Sequence, residues 1–391
     1  MKGALGDDLV VSRANKLRPL NGKQKFIFPL IEDIQMTLTR DEDSSVLISI
    51  ENSLMTIALN RPGAINSLTL NMIESMQNAL DQAANSPEIQ LVFITGKGEK
   101  GFCAGADVKA ASKAVGQGRK DEAMRFFIQE YALDLTLHRF PKPVVVLAHG
   151  ITMGGGLGLA AGAGLVLVTE TSRMAMPETR IGFFPDVGAT GWLFEKCPEG
   201  YAEYLALTGQ EVQGPECVGL GLAHGLLDSF RIPEATAVLK NLAGKLDFRK
   251  EQALEQMRSG LASILKATPS REAQQKDNWI REHFYGQTSV LDILQSLSQG
   301  KNHREWCESA LKQFSERSPT ASVLTLWLLR ENENQPLEKV FKLETSATRF
   351  IISHPDYIEG VRARLVDKDN TPAWQPDTLS RVSLPKLDSD A

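Results

Sequence analysis

Two carboxylates, Glu178 and Asp186, flank Ile181-Gly182-Phe183-Phe184-Pro185, an apolar and helix-breaking stretch. Neither has a Lys or Arg four residues away that would mark it as a surface ion-pair member. A helix cap and a turn aspartate would explain both acids. The chemical alternative is a pair of carboxylates in a water-poor pocket, where burial and mutual repulsion set their proton affinities.

The glycine-rich stretches raise a second possibility. GLGLAA, 156–161, satisfies G-x-G-x-x-A, with an acid, Glu178, twenty residues beyond Gly158, as in a dinucleotide fingerprint. That acid should end the next strand, however, and Glu178 follows Met176-Pro177 well past Val168. The same glycines can instead present unobstructed backbone N–H groups to an oxyanion. MGGGLG offers one such set, and FCAGAD, after the apolar run 91–95, offers a second. Both sets would also suit close helix–sheet packing alone. There is no G-x-S-x-G nucleophile and no H-E-x-x-H pair. His149 ends a buried strand, where it is either a base or a hydrogen-bonded core residue. GKGEK, 96–100, reads as a solvated turn rather than a phosphate loop. Glu178 and Asp186 remain the leading catalytic candidates.

Positioning them requires a framework, and the sequence describes one. SSVLISIENSLMTIALNRP alternates as a hairpin does around Glu51-Asn52-Ser53. Residues 67–85 carry Met72, Ile73, Met76 and Leu80 on one helical face behind Ser67 or Thr69 as cap. LVFIT, 91–95, reads as a buried strand and 120–140 as a helix. Pro143–Val168 has no formal charge and the length of a membrane span. Its glycines and proline make it a poor one. It reads better as strand Val144–His149, glycine turn, helix and strand Leu165–Thr169. This is an α/β core over residues 46–245. Residues 246–391 are helix-periodic with a frayed polar tail, and 1–45 form an extension with a short strand around FIFPLI.

Composition narrows the rest. The 391 residues allow two domains, or one with an appendage. A net charge of −5 without a dense basic cluster argues against nucleic acid or an anionic membrane surface as partner. The four cysteines, Cys103, Cys197, Cys217 and Cys307, follow no metal or disulfide spacing. With no apolar leader core, and Asp7 and Asp8 arguing against a transit peptide, the expected location is cytoplasmic.

NRPGAINSL (60–68), GFCAGADVK (101–109), HGITMGGGLGL (149–159) and MPETRIGFFPDVG (176–188), in this order, resemble the crotonase superfamily of acyl-CoA enzymes. The likeness is closest to its 3-hydroxyisobutyryl-CoA hydrolases and spans about residues 47 to 376. It also takes in Glu130-Tyr131 and HPDYIEGVRARLVDKDNTPAWQP, 354–376. The resemblance implies a spiral of strand–helix repeats with a helical C-terminal region. It implies an oxyanion hole at the N–H groups of Ala106 and Gly155, a catalytic glutamate at Glu178 and the hydrolases' aspartate at Asp186. Glu130 falls on a substrate-contacting glutamate. Coenzyme A would lie along Ala64–Ile65 and Ala104–Asp107, as part of the substrate, with no separate cofactor or metal. Family hydratases carry a second glutamate where this chain has Gly158. The hydrolases often read Gly-Gly-Asp where Gly105-Ala106-Asp107 stands. The implied activity is acyl-CoA thioester hydrolysis in valine degradation, with 3-hydroxypropionyl-CoA as a further substrate. Enoyl-CoA hydration or isomerisation and a non-catalytic CoA-ester binder are the alternatives. Superfamily members often form trimers, so a homo-oligomer is possible unless the C-terminal helices cover that interface.

Overall fold

Among the described residues ten strands form two sheets of unequal size, and the smaller one carries the site. The computed structural model describes residues 44–247, 249–267 and 274–387. The strand expected around FIFPLI lies outside them. In chain order the strands are β1 (Val46–Glu51), β2 (Leu54–Leu59), β3 (Leu91–Gly96), β4 (Gly101–Cys103), β5 (Val144–Ala148), β6 (Ile151–Met153), β7 (Leu165–Thr169), β8 (Arg173–Ala175), β9 (Val212–Gln213) and β10 (Gly225–Leu227).

The large sheet runs β1-β2-β3-β5-β7-β10 and is parallel except for the β1–β2 hairpin. That hairpin turns on two residues, Asn52 and Ser53, both with positive φ as a type I′ turn needs. Glu51 is thus paired with Leu54 rather than part of the turn. The sheet is buried on both faces, which explains its unbroken apolar runs. Met55, Ile57, Val146 and Val168 face one core, while Leu91, Val145, Leu147 and Leu167 face another. The second face is covered by helices Ile232–Ala243 and Lys250–Leu261 through Leu239, Met257 and Leu261. The first is covered by α1 (Leu70–Asn85) and, next in the chain beyond α2 (Val108–Gly116), α3 (Lys120–His138). Thr69 caps α1 by accepting from the Met72 N–H.

The small sheet, in the order β4-β6-β8-β9, escapes periodicity because each strand has only two or three residues. Each of its first three members follows a long strand directly: β3 leads to β4, β5 to β6 and β7 to β8. The glycine-rich turns therefore follow β4 and β6, not β3 and β5 as expected from sequence. α4 (Gly155–Ala161) runs between β6 in one sheet and β7 in the other. A dinucleotide fingerprint needs both strands in one sheet, so that reading fails. The uncharged stretch 143–168 is divided among β5, β6, α4 and β7. Among the described residues no helix is long and apolar enough to cross a membrane.

The helices beyond residue 246 are not peripheral to the site. On helix Leu337–Ile351, the buried Glu344 accepts from the Gly188 N–H (2.7 Å), the Thr190 hydroxyl (2.6 Å) and the Thr190 N–H (3.3 Å). It thereby holds the turn that follows Asp186. Glu344→Ala leaves these buried donors without an acceptor, at ~1–3 kcal/mol each. We expect a thermal melt to show a clear loss of stability for this variant and a smaller one for Glu344→Gln, which keeps one acceptor oxygen.

Candidate active site

Parallel β4, β6 and β8 end side by side, so the turns that follow them are brought together. Ala104-Gly105-Ala106 follows β4, Gly154-Gly155 follows β6, and Met176-Pro177-Glu178 follows β8. Residues from all three line one cavity of about 350 Å³, together with Phe183 and Asp186. Segment 65–68 pins the first turn: the Ala104 N–H donates to the Ile65 carbonyl, and the Leu68 N–H to that of Gly105. The Gly154 N–H donates to the Ala175 carbonyl and ties the second turn to the third. Gly105 adopts φ +92°, and a Cβ there would sit 2.9 Å from the Met153 oxygen and 3.2 Å from the Gly155 nitrogen. Gly155 opens α4, so its N–H has no acceptor within the helix. The Ala106 N–H has no backbone acceptor among the described residues. Ala106 and Gly155, whose N–H groups the resemblance assigns to an oxyanion hole, thus line one cavity.

The acids converge on the same space. Glu178 starts a short 3₁₀ turn, Glu178–Ile181, and its Oε1 lies 2.6 Å from where a Cβ on Gly154 would be. Its Oε2 has no hydrogen-bond partner. Burial, and then the charge of Asp186, push the Glu178 pKa well above the usual range. Asp186 is also buried, and burial raises its pKa to about 7 despite a 2.9 Å bond from the Tyr131 hydroxyl that favours the ionised form. Tyr131 is held in turn by the Thr348 hydroxyl at 2.7 Å. Phe183 stacks on Phe127 (5.2 Å between centroids) and on Phe184 (4.8 Å). Phe183 and Phe127 line the cavity, whereas Phe184 is core.

The remaining expected residues take other positions. Glu130 lies behind the cavity wall rather than on it, so close to Gly155 that a Cβ on that glycine would overlap its carboxylate. Both its oxygens are buried without a partner. Ala64 ends the exposed turn Pro62–Ala64, and Ile65 follows it; both lie beside the Ala104 turn rather than in the cavity. Asp107 sits at the start of α2 and pairs with Arg61 at 3.3 Å. His149 directs Nε2 to the Gly98 carbonyl at 2.9 Å, away from the cavity.

Gly158 explains itself sterically. A Cβ there would lie 2.7 Å from Cβ and Cγ2 of Val187, the residue after Asp186. Val187 has a positive φ of 51°, so the turn carrying Asp186 is pressed into the space that a side chain at 158 would need.

Sequence reasoning missed several residues that the fold brings in. Tyr131 was visible only as the neighbour of Glu130, and a single helical tyrosine carries no signal for a carboxylate partner. Glu344 and two cavity-lining arginines, Arg317 and Arg364, come from the helical region more than 130 positions downstream of Asp186, a separation that local patterns do not bridge.

The fold agrees with that of the solved structures it resembles. The family model described as enoyl-CoA hydratase/isomerase matches residues 54–389, and the chain belongs to that family. Proteins named 3-hydroxyisobutyryl-CoA hydrolase, mitochondrial, are 32% identical in Gallus gallus, covering 96% of this chain and 94% of the relative. The counterpart in Danio rerio is 35% identical, with 87% of each covered, and that in Homo sapiens 33%, with 92% of each. A carnitinyl-CoA dehydratase structure from Mycobacterium thermoresistibile superposes with a TM-score of 0.78 at 33% identity, over 87% of this chain and 94% of that one. An enoyl-CoA hydratase from Rhodobacter sphaeroides gives 0.77 at 30%, over 87% and 95%. The relatives' names point to a mitochondrial location and overturn the cytoplasmic expectation. The lack of a disulfide spacing among the cysteines does not separate the cytosol from a mitochondrion, since both are reducing.

Asp186 binds its proton far more tightly when folded than at the ordinary value of 3.8. Folding therefore takes up a proton between about pH 4 and 7, and this group's contribution to stability falls as pH rises through that window. In urea unfolding, Asp186→Asn should flatten the decline across that window. Tyr131→Phe removes a bond to the ionised form and should extend the decline to higher pH.

Proposed function

We propose that this chain hydrolyses an acyl-CoA thioester, with 3-hydroxyisobutyryl-CoA as the first substrate to test. The observation that carries this reading is the grouping of Glu178 and Asp186 with the Ala106 and Gly155 N–H groups in one cavity, while Val187 closes the space beside Gly158. Hydration across a carbon–carbon double bond needs a second acid/base partner, and the position the hydratases use for it has no room for a side chain here.

In this mechanism the thioester oxygen accepts from the two N–H groups, which meet the charge it gains as the carbonyl carbon is attacked. Removing one such donor typically costs ~10²–10³ in rate. Glu178 delivers water either as general base or by forming an acyl anhydride that water then cleaves. In both routes the carbon–sulfur bond breaks and CoA leaves as the thiolate. Burial and the charge of Asp186 disfavour ionised Glu178, and burial disfavours ionised Asp186, so the pair favours holding a proton. One carboxylate is then available to attack while its neighbour's proton can be donated. Asp186, fixed by Tyr131, orients the water or holds the substrate's 3-hydroxyl. Phe183 and Phe127 keep bulk water from that side of the cavity. The names of the relatives support the substrate, and 3-hydroxypropionyl-CoA is the second candidate.

Release of free thiol from (S)-3-hydroxyisobutyryl-CoA tests this directly. The parent should release thiol with turnover, and Glu178→Gln should lose at least ~10²-fold, the lower end of what acid–base catalysis supplies. Folded parent protein that releases no thiol, yet hydrates crotonyl-CoA, would reverse the assignment.

A further inference from the structure

The cavity wall holds three arginines that the proposed mechanism does not use. Arg180 lies two residues beyond Glu178, Arg317 precedes helix Pro319–Asn332, and Arg364 follows helix Pro355–Val361; all three line the same cavity as the oxyanion donors. The side chains of Arg317 and Arg364 are only 6% and 7% exposed. Burying a guanidinium is costly unless its charge and its donors are satisfied. Here they are not. A single carboxylate, Glu316, stands among all three, at 3.5 Å from Arg180, 3.7 Å from Arg317 and 4.0 Å from Arg364. Arg317 donates to the Thr208 carbonyl, and Arg364 to the Glu316 carbonyl and the Asn370 side chain. Nε and Nη1 of Arg317 and Nε of Arg364 remain buried without acceptors. Of the other acids, Glu211 in the cavity lining is already paired with Arg173 at 2.6 Å, and Asp369, which also attracts Arg364, is paired with Arg362 at 2.5 Å. Repulsion from Arg180 and Arg364 adds to burial in lowering the Arg317 pKa to about 10, which still leaves it charged at neutral pH.

Three cations against one loosely held carboxylate leave an uncompensated positive charge and free planar donors in a ligand cavity. Guanidinium groups in this state match the oxygens of a phosphate or carboxylate. We propose that Arg180, Arg317 and Arg364 form an anion subsite that takes an oxyanionic group of the bound thioester. The group is either a phosphate of the CoA moiety or a carboxylate at the end of the acyl chain. The subsite borrows from the hydrolase reading only the identity of the ligand as an acyl-CoA.

Equilibrium binding to the full chain carrying Glu178→Gln tests this without requiring turnover. The probes are CoA, pantetheine, succinyl-pantetheine and the uncharged butyryl-pantetheine. Arg364→Gln, alone and with Arg180→Gln, should weaken the anion-bearing probe about tenfold or more, the scale of a lost charged hydrogen bond. It should also reduce the salt dependence of that affinity. Loss for CoA with pantetheine unchanged identifies the phosphates. Loss for succinyl-pantetheine with butyryl-pantetheine unchanged identifies an acyl carboxylate. Equal affinities within twofold for all four probes would overturn the subsite. Should Arg364→Gln not fold, Arg180→Gln alone serves, because its half-exposed side chain makes no buried carbonyl bond. A parent protein that releases no thiol would sink the hydrolase reading while leaving this binding readout intact.

Discussion

Everything at the cavity depends on how closely three backbone turns approach one another. At Gly105 a Cβ would meet main-chain atoms of the second turn, and at Gly155 it would meet the Glu130 carboxylate, so neither position has room for one. That proximity brings Ala106 and Gly155 to one cavity and Glu178 against Gly154 from the third turn. The short strands β4, β6 and β8 exist to hold this spacing. Strand neighbours lie about 4.8 Å apart in the hydrogen-bonding direction, which is the right scale for two turns to converge on one substrate oxygen. The large sheet, buried on both faces, supplies the rigidity, since each short strand is tied to a long one by only a few residues.

The second constraint is charge. Glu130, Asp134, Glu178, Asp186 and Glu344 are all buried, which raises the pKa of each, the charge of Asp186 raises the other four further, and no cation among the described residues pairs with any of them. Such a cluster lowers stability unless several members stay protonated. Its persistence is made tolerable by neutral donors: Tyr131 for Asp186, and Thr190 with the Gly188 N–H for Glu344. The C-terminal helices are therefore part of the site's support. They contribute Thr348 behind Tyr131, Glu344 behind the turn after Asp186, and Arg317 and Arg364 to the cavity lining.

Much of this was legible in the sequence where the signal is local. The β1–β2 hairpin, α1 with its Thr69 cap, and the buried strands at 91–96, 144–148 and 165–169 follow from alternation, helical spacing and turn residues. The two glycine turns and the two acids also stood out by type. Short strands such as β6 left no pattern to read, because three residues cannot display a period. The distance from Glu344 to Gly188, or from Tyr131 to Asp186, depends on tertiary packing that no window of sequence contains. The resemblance to a known superfamily filled part of that gap, but it did not place Glu130 behind Gly155 rather than on the wall, nor reveal the arginines.

The contact between Gly158 and Val187 has a consequence for how such chemistries diverge. An acid introduced at 158 meets the turn that bears Asp186, so the two acidic arrangements compete for one volume. A lineage exchanging thioester cleavage for double-bond hydration therefore cannot proceed through that position alone. The neighbouring turn has to change shape first or in the same step, and each half of the exchange is unfavourable without the other. Sign epistasis of this kind separates the two acidic arrangements even on a shared scaffold.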